Sequence, residues 1–255
     1  MEHLRHPSEN PLFAVCVTVS MLIYLLVTVS LVGLIYAPFI MLGLLISHGL
    51  MIGHTKGNGV RVSATQFPDL HRRVEEYSRR LGLARAPDVY VLQQGGMLNA
   101  FATRFLGRDF VVLYSDVLEL AYERGEEAVA FVVAHELGHI QRKHLNHRWL
   151  IYPALVVPFL GAAYQRACEY TCDRIGTYLA PEGAIPGLLV LAAGKALYSR
   201  VDAQAVINQV QDPAGFWVTF AELVATHPHL SNRLDAVASF QESAVRLDER
   251  IAREA

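Results

Sequence analysis

The sequence predicts a mainly α-helical chain: an α+β body with a small antiparallel β-sheet, preceded by an N-terminal hairpin of two transmembrane helices. Three observations predict this. Residues 10–55 contain no Asp, Glu, Lys or Arg. Apolar side chains recur at helical spacing through most of the remainder, and three short β-type runs fall between residues 89 and 114.

The uncharged block comes first. As a single helix it would be about 70 Å long, roughly twice a ~30 Å hydrocarbon core, so two spans with a tight turn fit better. Residues 33–38 (GLIYAP) are the expected break, because proline disfavours helix in the residue before it. This places the spans at 12–36 and 39–53. The stretch is far too long for a signal-peptide apolar region of ~7–15 residues. Arg5 precedes the first span, while Lys56, Arg61, Arg72 and Arg73 follow the second, and the turn carries no basic residue. By the lysine and arginine bias, both flanks and the body face the cytoplasm. The expected organisation is a short cytoplasmic N-terminus (1–10), two transmembrane helices (11–55) and a cytoplasmic domain (56–255). His48 and His54, near the end of the second span, are expected to be interfacial or buried structural residues.

In the body, 67–81 has Leu70, Val74, Tyr77 and Leu81 on one helix face. The β-type runs are 89–92, 99–103 and 110–114, the first two separated by Gln-Gln-Gly-Gly. A long helix is expected over 126–147, with Glu126 and Glu127 favoured at its positive end. Further helices are expected at 165–179, 184–198, 216–224 and 231–244. Residues 149–165 are uncharged and contain Pro153 and Pro158. At about 25 Å even if fully helical, they cannot form a two-span hairpin. They are expected to be re-entrant, interfacial or a broken core helix.

Composition excludes several function classes. Hydrophobic residues make up 53% and charged residues 18%, and the formal net charge is −2, so no basic field gathers nucleic acid. Three cysteines cannot supply a disulfide framework.

The chemistry lies in His135-Glu136-Leu137-Gly138-His139. Histidines at i and i+4 project from one helix face, where two imidazoles can bind one metal ion, and the intervening glutamate can serve as general base. A hydrolytic zinc site uses three protein ligands and keeps one open position. A third histidine six residues on would be position 145, which is leucine. On a continuing helix His144 and His147 point elsewhere. The third ligand is therefore expected from another helix, with Glu169 the best candidate and Asp173 one turn later as its support. Cys172 is a conceivable thiolate ligand, although Cys168 and Cys172 read more simply as small buried hydrophobes.

HELGH, the later E-x-x-x-D (Glu169, Asp173) and Thr-His-Pro…Arg (His227, Arg233) resemble the HtpX-like branch of membrane zinc metallopeptidases, related to the CAAX prenyl proteases. Asn99-Ala100-Phe101 before a β-strand is also similar. The resemblance implies a zincin-type metallopeptidase body over 56–255 with one Zn2+ per chain on His135, His139 and Glu169, and with Glu136 as general base. It implies that His227 assists the oxyanion, that Asp173 and Arg233 support the site, and that Asn99 contacts substrate. The implied activity is endopeptidase cleavage of polypeptides at the lipid bilayer in membrane protein quality control or processing. The implied place is the cell membrane, a bacterial inner membrane, as a multi-pass protein. Two departures stand out. Cys172 occupies a position commonly alanine in that family, and the two further spans that many members carry are missing here. The competing reading is a non-catalytic membrane adaptor with structural zinc, which Glu136 and an open fourth position argue against. Prenyl-protein processing is disfavoured because two spans cannot enclose a large chamber.

Overall fold

The computed structural model describes residues 1–95, 99–124, 126–194, 196–209 and 215–254. Gly96 of the Gln-Gln-Gly-Gly turn and position 195 of the expected 184–198 helix lie outside them. Helix α1 (Glu9–Val29) and helix α2 (Leu31–Asn58) form the apolar hairpin, and both are long and apolar enough to cross a membrane. The break falls at Ser30, not at 33–38. Ser30 is extended, and its hydroxyl accepts the Gly33 N–H at 3.3 Å, capping α2, while Pro38 sits inside α2. A proline removes one N–H and is tolerated in apolar helices where neighbouring groups adjust.

After strand β1 (Val60–Arg61) and helix α3 (Pro68–Arg80) come β2 (Asp88–Leu92), β3 (Ala100–Phe105) and β4 (Arg108–Tyr114). Leu106 and Gly107 both have positive φ, as a tight hairpin turn requires, so β3 and β4 pair antiparallel. The sheet order is β1-β2-β4-β3, and β2 pairs with β4 in parallel. The sheet is therefore mixed rather than antiparallel, because β4 inserts between β2 and β3. That leaves β3 as an edge strand. His48 of α2 meets Thr103 at 2.9 Å and packs on Phe105, so this histidine joins the hairpin to the sheet.

The expected 126–147 helix is shorter. Helix α4 (Ser115–Arg124) precedes helix α5 (Glu127–Gln141), and Lys143 has φ +59, which turns the chain back. Helices α6 (Arg148–Leu155) and α7 (Leu160–Leu179) follow. The 149–165 segment is thus a broken helix, interrupted where Phe159 takes φ +66. It packs along α1: Tyr24 Oη donates to the Trp149 carbonyl at 2.5 Å, and the Ala154 N–H donates to Ser20 Oγ at 3.1 Å. Helices α8 (Ala184–Ala193), α9 (Ala203–Asn208), α10 (Phe216–Val224) and α11 (Leu230–Glu254) complete the body. Gly194 at φ +81 ends α8 well before Tyr198.

The core centres on α5, whose Ala128–Leu137 stretch is buried throughout, packed on α7 and α8. Small residues permit the close crossings. A Cβ on Gly138 would stand 3.3 Å from Cys172 Sγ, and one on Gly176 2.7 Å from the Phe131 ring. Gly183 is tighter still, since its Cβ would meet the Glu127 carbonyl oxygen at 1.8 Å, a backbone atom that cannot swing aside. Gly183→Ala is expected to destabilise the protein by about 3 kcal/mol, the upper end of overpacking costs, seen as a lower melting temperature.

Candidate active site

Helix α5 carries His135, Glu136 and His139 at the floor of a cavity of ≈ 180 Å³, and edge strand β3 contributes Ala100, Phe101 and Ala102 to its wall. Helix α7 brings Glu169 across: Oε2 lies 3.4 Å from His135 Nε2 and Oε1 3.3 Å from His139 Nε2. Two donors on one tetrahedral zinc at 2.0–2.1 Å stand about 3.3–3.4 Å apart. The spacing between the carboxylate and each imidazole therefore fits a shared ion.

The remaining ring nitrogens are held from behind. His135 Nδ1 faces Asp173 Oδ1 at 2.9 Å, and Arg233 of α11 donates to both oxygens of Asp173 at 2.8 and 2.6 Å. Since Asp173 is a carboxylate, the His135 Nδ1–H donates to it, which leaves Nε2, facing Glu169, as the nitrogen that would meet a metal ion.

His139 is held in the same way by a residue that helical extrapolation missed. The chain reverses at Lys143 and lays His144 Nδ1 against His139 Nδ1 at 3.1 Å. His144 Nε2 faces Glu9 Oε1 at 3.4 Å. With the His144 N–H on that nitrogen, its Nδ1 accepts from His139 Nδ1–H, and His139 Nε2 is bare toward Glu169. Burial, opposed by Glu9, holds the His144 imidazole below its ordinary value, which favours the neutral form. No sequence signal marks it, because the left-handed turn at Lys143 is a conformation that propensity assigns to glycine and not to lysine.

Glu9 is buried, although much of the N-terminal segment around it is exposed. Arg5, Arg142 and His144 surround it, Thr171 donates to it, and Leu4 is fully buried in the main core. The segment 1–10 is thus tied to the body at Leu4, His6 and Glu9.

Electrostatics follow the geometry. Burial raises the Glu169 carboxyl, but the two imidazoles outweigh it and hold the group well below the usual range. Burial lowers His135, yet Asp173 and Glu169 prevail and push it up to about 10. His135 holds a proton firmly there, and a bound cation takes that proton's place.

Cys172 forms a second donor group with His135 and His139, with one ligand atom from each within 4.8 Å of the others. Its thiol is fully buried against Gly138 and is pushed well above its ordinary value by burial and then by nearby carboxylates. Glu169, by contrast, lines the cavity.

His227 follows α10 and stands with Nε2 3.6 Å from Glu169 Oε2, its side chain 65% exposed. Arg233 also reaches Glu169, at 3.6 Å. Asn99 immediately precedes the cavity wall, and its Oδ1 accepts the Ala100 N–H at 2.9 Å. Eight side chains singled out from sequence thus fall on or beside one cleft, with Asn99 at its margin.

The model of peptidase family M48 matches residues 64–160 and 149–241. The chain belongs to peptidase family M48. Among relatives of this M48 chain, a protein described as a protease HtpX homolog from Halobacterium salinarum is 36% identical over 78 residues, 31% of this chain and 25% of that protein. The crystal structure of S. mikatae Ste24p overlays with a TM-score of 0.51 at 15% identity, covering 89% of this chain and 62% of that one. The matched regions span less than two thirds of either relative. The Ste24p likeness is one of fold.

Proposed function

We propose that this M48 chain is a membrane-anchored zinc endopeptidase whose ion is held by His135, His139 and Glu169. The observation that carries the reading is the pair of imidazole Nε2 atoms facing the two Glu169 oxygens at 3.4 and 3.3 Å, with both Nδ1 atoms engaged elsewhere. Two imidazoles and a carboxylate suit zinc, on which the family generally depends, better than magnesium or calcium. Cys172 is assigned to helix packing instead, because its side chain lies against Gly138 where α5 and α7 cross, whereas Glu169 lines the cavity.

Zinc bound there supplies Lewis acidity toward a scissile carbonyl and acidifies water. The chain's residues do the rest. Glu136 lines the cavity beside the ligands, where its carboxylate takes a proton from attacking water and passes it to the leaving amine. His227, beside Oε2 of Glu169, donates to the carbonyl oxygen as it gains charge. Edge strand β3 offers main-chain hydrogen bonds to an extended peptide, with Asn99 at its start. Asp173 and Arg233 keep His135 in the binding tautomer.

Helices α1 and α2 cross the bilayer and leave the body, residues 56–255, in the cytoplasm beside the membrane. Polypeptides reaching the cleft there are the substrates, in membrane protein quality control or processing. The test is metal removal. Purified protein is expected to contain about one zinc per chain, to lose casein cleavage on chelation and to recover it with added zinc. Zinc-loaded protein that cleaves no peptide in a broad library would overturn the reading in favour of a structural zinc adaptor.

A further inference from the structure

We propose that helix α10 is a second membrane contact, embedded in the lipid interface, and that its seat there positions His227. The proposal rests on the membrane-anchored reading above and extends it to a part of the body far from the hairpin in sequence.

Helix α10 is apolar on its open side. Phe216 is 69% exposed, Trp217 76%, Val218 50% and Val224 50%. Phe216 and Phe220 stack on each other at 5.8 Å. Glu222, the helix's sole charge, turns inward, where its carboxylate accepts from Asn232 at 2.6 Å. An exposed aromatic and aliphatic face of this kind marks an interaction surface, and tryptophan is enriched where hydrocarbon meets headgroups.

The bilayer is the occupant because this face continues the surface of the spanning hairpin. Helix α6 is bonded to Ser20 and Tyr24 of α1, beside the exposed Met21, Leu22, Leu25 and Leu26. From α6 the open face runs through Trp149 and Val156 to Phe159, whose ring meets Phe220 of α10 at 6.2 Å. A substrate peptide or a second copy has no such continuity.

The consequence for the site follows from the far end of α10. Its last carbonyls, those of Glu222 and Leu223, and the following Ala225 carbonyl all accept from Arg166 of α7 at 2.7–3.1 Å. Thr226 and His227 come next, and His227 stands 3.6 Å from Glu169 on that same α7. His227 has few contacts of its own, so the seat of α10 decides where it stands. Trp217 is accordingly a positioning residue.

The chain has two tryptophans, Trp149 and Trp217. In the full-length Trp149→Phe variant, Trp217 is the sole tryptophan, excited at the red edge where tyrosine does not absorb. The protein is reconstituted in phosphatidylcholine vesicles with and without acyl-chain-brominated phosphatidylcholine. Brominated lipid is expected to remove most of the Trp217 emission, and aqueous acrylamide to remove little. Strong acrylamide quenching in protein that has entered the vesicles overturns the proposal. Shielding from both quenchers also overturns it, and assigns the face to protein, such as a second copy. Failure of the protein to enter vesicles at all overturns the membrane-anchored reading instead. Trp217→Ala and Trp217→Glu are expected to keep their zinc yet lose up to about 10²-fold in kcat with KM little changed, the size of effect a misplaced catalytic group produces. Unchanged kcat in both would overturn the positioning role.

Discussion

Replacing Glu136 with glutamine is expected to leave the zinc in place and remove cleavage, by about 10²–10⁴-fold. The substitution keeps the shape and burial of the side chain, which is 7% exposed at the cavity floor. It removes the one property the chemistry uses, a carboxylate that accepts a proton. His135, His139 and Glu169 are untouched, so metal content per chain should equal that of the wild type. The measurement pairs atomic absorption with casein cleavage in the same preparation. Wild-type turnover in the glutamine variant would remove Glu136 from the mechanism. Loss of zinc would show instead that Glu136 helps to hold the ion.

The second large effect is on stability. Arg233 is 9% exposed and bonds both oxygens of Asp173, with Glu169 3.6 Å away. Arg233→Met preserves much of the buried stem but strands a buried carboxylate without its cation, at a cost of about 3–5 kcal/mol. The pH dependence should change with it. Burial alone would raise the Asp173 carboxyl, but Arg233 and then His135 hold it below its ordinary value of 3.8. A carboxyl whose folded value is depressed stabilises the protein fully above its unfolded value, and that contribution is lost as pH falls through the folded one. In Arg233→Met the burial effect stands with less opposition, so the acid limb of the stability profile should begin at higher pH. Melting temperatures across an acid series in detergent would show it. Coincident wild-type and variant profiles would mean that the pair contributes nothing net.

Much of this was legible in the sequence because the signals were dense. The uncharged block announced the hairpin, and the H-E-x-x-H spacing fixed three cleft residues on one helix face. Helix α10 was bounded correctly by its neighbouring Gly215 and the extended Ala225. What escaped depended on contacts distant in sequence. The parallel pairing of β2 with β4 is a matter of which strand inserts where, and alternation within a strand says nothing about that. The early end of α5 turns on a left-handed lysine, stabilised by what His144 then reaches. Ser30 outcompeted the Gly33–Pro38 signal because a hydroxyl cap starts a helix, whereas one proline in an apolar helix need not stop it. Glu9 gave no sign of its partners, which lie far along the chain.

That last arrangement bears on how the protein is made. The His6 amide is bonded to Thr171 at a separation of 165 residues, and Glu9 meets Arg142 and His144. The segment before α1 therefore cannot settle until α7 is in place, and closing so long a loop is slow. Until that clasp closes, His144 lacks its carboxylate and His139 its fixed tautomer. The His139 side of the cleft is therefore among the last parts of the molecule to take its final form.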